Sequence, residues 1–214
     1  MKKLTIVAAI LVSGLALPLA AQTADETATA AEQLGLSTGT PEIGATYVRE
    51  EFTDWELRCV SAPEGQPDPC QLYQLLLDID GNAVAEFNLF DVPDEGDLVA
   101  GATIVTPLDT LLTGQLRMAV DNSQPRVYPF SFCQAIGCFV RLGLTTEDIH
   151  AFEAGNVATV AIVPLPAPDQ VVTLGLSLAG FTAAFAALEA YNAEARAQIE
   201  ALIAAQQEAE AASE

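Results

Sequence analysis

Trp55-Glu56-Leu57-Arg58-Cys59 is the stretch on which the fold turns. Trp55, Leu57 and Cys59 alternate with Glu56 and Arg58, the period of a strand with one face in a core and the other in water. The same alternation returns in Ala85, Phe87 and Leu89 against Glu86 and Asn88, and in Leu116, Met118 and Val120 against Arg117. Val157 to Val163 and Val171 to Leu176 are more uniformly apolar and read as strands buried on both sides. Pro, Gly, Asp and Asn separate these runs. Between about Ile43 and Ser177 this spacing holds about eight to ten strands around one core, for which an antiparallel β-sandwich is the natural architecture.

Two segments leave the strand period. Thr145 with Asp148 three residues on forms a capping box, Glu147 and Asp148 suit the positive end of a helix, and Gly155 stops it, so one short helix is expected here. After Ser177 the apolar residues Phe181, Phe185, Leu188, Ala195, Ile199 and Leu202 recur at steps of three and four. That is an amphipathic helix of about 25 to 30 residues. Its first half is expected to pack on the strands. From Tyr191 the stripe thins, and the second half is expected to project or to pair with another helix.

The opening Met1-Lys2-Lys3, the apolar run Leu4 to Leu17, Pro18 and the small residues Ala20 and Ala21 follow the order of a secretory signal. The run falls short of the roughly 20 residues of a membrane span. Cleavage is expected after Ala21, giving a signal over 1–21, a disordered Ala/Thr/Glu-rich linker over 22–42, a β domain over 43–188 and an acidic, Ala-rich helical tail over 189–214. No transmembrane segment is expected after cleavage.

Loss of the signal removes the only two lysines and moves the formal charge from −21 to −23. A field of that sign repels nucleic acid and anionic headgroups. It also serves plain solvation.

Cys59, Cys70, Cys133 and Cys138 all follow the signal, and an even count in an exported chain reads as a disulfide framework. Local pairing is expected, Cys59 with Cys70 and Cys133 with Cys138, because each pair brackets a short turn-rich segment. Loops of this size stabilise by about 2 to 3 kcal/mol each in the chain-entropy description.

Residues able to carry chemistry are few. His150 is the only histidine and falls on the short helix beside Phe152, with no partner in sequence to orient it as a base. Ser177 reads as a cap or packing residue. Asp91, Asp94, Glu95 and Asp97 cluster in what reads as a solvated loop, without the spacing of a calcium-binding EF-hand. Trp55 shares the phase of Leu57 and Cys59 and is expected in the core beside the first disulfide. Arg58, Arg117 and Arg141 are outward candidates for ion pairs. No catalytic, cofactor-binding or metal-binding set is expected.

Several elements recur in a recognisable order: Trp55 to Cys59; Cys70-Gln71; Pro107-Leu108 with the run Leu111 to Val120; Pro129-Phe130-Ser131-Phe132-Cys133; Gly137-Cys138; and Ser177-Leu178-Ala179-Gly180-Phe181 followed by Ala184. Together they resemble the invasion-associated locus B family of exported α-proteobacterial proteins, over roughly residues 45 to 188. The resemblance implies a β-rich protein of the periplasm or envelope, named for a link to host-cell invasion and without a defined biochemical activity. Its motif residues are Trp55, Pro129, Phe130, Gly137, Ser177, Gly180 and Phe181. This chain departs from the pattern in its acidity and in the tail after Leu188. The function expected is non-enzymatic binding of an unidentified protein or envelope component, in the periplasm, on the envelope or after secretion. The alternatives are a hydrolase working through paired carboxylates and an oligomer self-associating through the C-terminal helix.

Overall fold

A computed structural model of the chain describes residues 42–213. The signal over 1–21, its cleavage point and nearly all of the 22–42 linker lie outside the described residues.

The strands are β1 (Thr46–Phe52), β2 (Trp55–Val60), β3 (Cys70–Leu77), β4 (Ala83–Glu95), β5 (Leu98–Thr106), β6 (Leu116–Val120), β7 (Arg126–Tyr128), β8 (Phe130–Gln134), β9 (Gly137–Thr145), β10 (Val157–Ile162) and β11 (Val172–Ser177). The helices are α1 (Thr146–Ala154) and α2 (Phe181–Ser213). The class is mainly β, with antiparallel strands, one short helix and a long C-terminal helix.

All the strands belong to one sheet, in the order β7-β6-β10-β11-β3-β4-β5-β9-β8, with β1 and β2 branching from β3. Two features make this sheet curl into two facing layers. The ends of the order, β7 and β8, are consecutive in the chain with only Pro129 between them, so the sheet returns on itself and nearly closes. The second feature is a fork at β3. Its first half pairs with β2, from Cys59 opposite Cys70 to Glu56 opposite Tyr73, while Leu77 pairs with Gly175 of β11.

The carboxamide of Gln74 holds the fork. It accepts from the Ser177 N–H at 2.7 Å and donates to the Ser177 C=O at 3.0 Å, doing with a side chain what a neighbouring strand does with its backbone. Gln74 is 7% exposed, and both its carbonyl and its amide are hydrogen-bonded.

Alternation in the sequence translates into burial. Trp55, Leu57, Cys59, Phe87, Leu89, Leu116 and Met118 all point inward. β10 and β11 correct the two-sided reading: they alternate between buried and more open positions, and Val157 is 37% exposed. A run of Val, Ala and Leu satisfies the inner face, and apolar residues on the outer face are tolerated singly.

The core continues into the helices. α1 begins with the capping box of Thr145 and Asp148, and buries Ile149 and Phe152. α2 buries Phe181, Ala184, Phe185 and Leu188. Trp55 meets Phe87 and Phe181 edge to face at 5.8 and 5.3 Å, and Phe152 meets Phe181 at 5.3 Å, so sheet and both helices share one aromatic cluster.

Docking of α2 extends past Tyr191, further than its thinning stripe indicates. Arg49 of β1 lies 4.2 Å above the Tyr191 ring. Asn192 and Arg196 both bond Asp91, the latter at 2.7 Å. Beyond Arg196 every described side chain of α2 is exposed. The acidic segment read as a loop is also corrected. β4 runs to Glu95, and the Asp91 side chain is 8% exposed and ion-paired.

Candidate binding surface

The motif residues build the fold. Trp55 and Phe181 are wholly buried in the aromatic cluster, and the Trp55 indole N–H has no acceptor among the described residues. Gly180 has φ +87°, and a Cβ there would stand 2.2 Å from the Phe52 carbonyl oxygen, so the entry to α2 runs directly under the β1–β2 turn. Ser177 ties that turn down: its Oγ donates to Asp54 at 2.6 Å and accepts from the Ala179 N–H at 3.2 Å. Gly137 starts β9 against the end of β5, where a Cβ would lie 2.5 Å from the Thr106 carbonyl oxygen. Pro129 supplies the bend between β7 and β8, and Phe130 pairs with Val140.

Both disulfides join directly opposed residues of neighbouring strands. Cys59 and Cys70 link β2 to β3 with Cα atoms 4.1 Å apart, and Cys133 and Cys138 link β8 to β9 at 4.0 Å. No free cysteine occurs among the described residues.

The reactive side chains have separate partners. His150 is exposed on α1 with Nδ1 3.0 Å from Glu153 Oε2, whereas the hydroxyl of Ser177 is engaged directly by a carboxylate. Among the described residues no group of three or more His, Cys, Asp or Glu side chains is placed to hold a metal ion. Arg58 pairs with Glu56 at 2.6 Å and lies 3.2 Å over the Tyr73 ring; Arg141 lies 5.1 Å over Phe132. Sequence reasoning passed over Arg126, which pairs with Asp148 at 2.5 Å across the seam of the sheet. It borders a pocket of about 300 Å³ floored by Met118, Leu144 and Phe152.

The most open apolar surface lies at one end of the sheet. Strand register brings the β3–β4, β5–β6, β8–β9 and β10–β11 connections together there: Glu86 pairs with Val105, Thr106 with Cys138, Leu77 with Gly175 and Ala161 with Arg117. Their tips expose Ile79 (94%), Ile136 (77%), Leu165 (57%) and Leu108 (54%).

These connections are braced. The Leu111 N–H donates to Val163 at 2.8 Å and the Leu165 N–H to Asp109 at 2.6 Å. Asp78 accepts from the Asn82 side-chain amide and from the backbone of Asn82 and Asp80, which holds its carboxyl below the usual carboxylate range and fixes the turn that lifts Ile79. A groove of about 280 Å³ runs between Leu75, Ala83, Val105, Pro107 and Ile136. The connections carry Asp78, Asp80, Asp109 and Asp169 and no basic residue. The sequence signal for this surface is an isoleucine at a turn tip, in Asp78-Ile79-Asp80-Gly81 and in Ala135-Ile136-Gly137, where polar residues are the rule.

No helix among the described residues is long and apolar enough to cross a membrane. No curated protein matches the chain. Among solved structures, the invasion associated protein B of Bartonella henselae is similar in fold. It has a TM-score of 0.57 and 21% identity, and the match covers 68% of this chain and 97% of that one. The family model for invasion associated locus B (IalB) proteins matches residues 55–189. That span holds the aromatic cluster, both disulfides, the β3 fork and the buried start of α2, and the chain belongs to the invasion associated locus B family.

Proposed function

We propose that this member of the family is an exported, non-enzymatic protein of the periplasm or envelope that binds another protein or an envelope component through the braced loop end. The observation that carries the reading is the gathering of Ile79, Leu108, Ile136 and Leu165 on fixed connections at one end of an otherwise acidic molecule. Exposed apolar side chains on braced loops are what binding surfaces are made of. Four aspartates and no cation on the same loops favour a ligand with apolar and cationic groups together. Export is supported by the signal-like N-terminus and by paired cysteines throughout the described residues. The pairing of His150 with Glu153 and of the Ser177 hydroxyl with Asp54 supports a role without hydrolytic chemistry.

Affinity capture from the native periplasm tests this when the unaltered chain is run beside Ile79→Asp and Ile136→Asp. A partner retained by the unaltered chain and lost from both variants supports the reading. A partner retained equally by all three places binding elsewhere.

One observation favours a second mode, self-association through α2. Ile199, Leu202 and Ile203 are 45%, 43% and 48% exposed and prolong the stripe that Phe181, Phe185 and Leu188 begin. A fall in molar mass on removing residues 197–213 would establish it.

A further inference from the structure

We infer that β8 is a self-pairing edge: two copies of this chain join β8 to β8, antiparallel about a two-fold axis at Cys133, and so run one sheet through both molecules. The inference uses a different surface from the loop tips and does not depend on them.

The backbone supplies the first argument. The 4.0 Å Cα separation of Cys133 and Cys138 is that of a narrow antiparallel pair, in which N–H and C=O turn away from the partner strand. The Cys133 amide and carbonyl therefore face outward from β8. Among the described residues no backbone hydrogen bond takes them up. A groove of about 370 Å³ lies along this side, between Pro129 to Phe132 and the turn of Leu112, Thr113 and Gln115.

Charge supplies the second. Unpaired strand edges are ordinarily guarded by charged side chains. The free edge of β1 carries exposed Arg49, Glu50 and Glu51, and β7 carries Arg126. From Phe130 to Gly137 there is no charge at all, and none on Leu112, Thr113 or Gln115. In a chain of net charge −21 a second copy is repelled by most of the surface, whereas this edge carries no acidic residue and has the Arg141 guanidinium over its Phe132 ring.

Self-complementarity supplies the third. With the axis at Cys133, Phe132 faces Gln134 of the copy and Ser131 faces Ala135, so an uncharged edge meets an uncharged edge. Such an isologous contact closes as a dimer.

Sedimentation equilibrium of the purified, oxidised chain tests the inference at about 50 and about 500 mM sodium chloride. A monomer–dimer equilibrium that tightens with salt is expected, because screening removes repulsion between acidic bodies. Gln134→Lys and Gln134→Glu should each weaken the dimer by about tenfold or more. On a two-fold axis any introduced charge lies near its own image, whatever its sign. Near-UV circular dichroism establishes that the variants fold, and Ser131→Lys, at another exposed edge position, replaces either one that does not. A monomer at both salt levels overturns the inference. So does weakening by one sign of charge only, or a dimer that survives both variants and disappears when residues 197–213 are removed.

Discussion

The two halves of α2 share one helical stripe and have opposite fates. In the first, Phe181, Phe185 and Leu188 enter the aromatic cluster and are at most 5% exposed. In the second, Ile199, Leu202 and Ile203 continue the stripe and stay close to half exposed. What separates them is the surface opposite. The proximal half runs along β1 to β4 and lays its rings against Trp55 and Phe152. The distal half lies beyond Arg196, whose bond to Asp91 ties the helix to β4. Amphipathicity therefore gives the direction of a helix's apolar face, while an apolar surface opposite decides whether that face is buried.

This contrast can be broken at its strongest point first. Phe181→Ala or Phe185→Ala should cost about 3 to 5 kcal/mol, seen as a clear fall in the melting temperature, because each removes a buried ring whose space the cluster cannot refill. Gln74→Leu should cost about 1 to 3 kcal/mol in chemical denaturation, since the Ser177 N–H and C=O lose the partner that joins β3 to β11. An unchanged midpoint would show that water replaces the carboxamide there. Arg196→Ala should cost less than about 1 kcal/mol, because its side chain is 45% exposed and solvent screens the bond to Asp91. Hydrogen exchange on either side of Arg196 would locate the end of docking more finely than melting. Removal of residues 197–213 should leave the melting temperature unchanged and lower only the helical signal. A marked fall would show that the distal half docks on its own domain.

Much of the core was legible in the sequence because a half-buried strand records its inner face every second residue. Trp55, Leu57 and Cys59 are the plainest case, and the Thr145 and Asp148 capping box marked the start of α1 equally directly. The local cysteine pairs could be read because short loops bring their ends together at little entropic cost. Periodicity failed where composition was uniform: β10 and β11 are apolar on both faces but buried on one. It also carried no trace of the fork. Gln74 sits in Leu72-Tyr73-Gln74-Leu75-Leu76 like a misplaced polar residue, and its partner is 103 residues away. Asp91 was hidden for the same reason, since Arg196 lies 105 positions along the chain. The loop end escaped because its apolar tips come from four separate connections, each unremarkable alone.

The Gln74 contact also sets an order of events in time. Its partner Ser177, and the Asp54 contact of that same serine 123 residues back, cannot form while the last third of the polypeptide is missing. Until then β1 to β5 have no opposing layer for their inner face and the cluster around Trp55 lacks Phe181. Folding must wait for the C-terminal residues and then close very long loops, the circumstance that makes β-rich chains slow to reach the native state. The Gln74–Ser177 and Trp55–Phe181 contacts therefore become available only once β11 and the start of α2 are present.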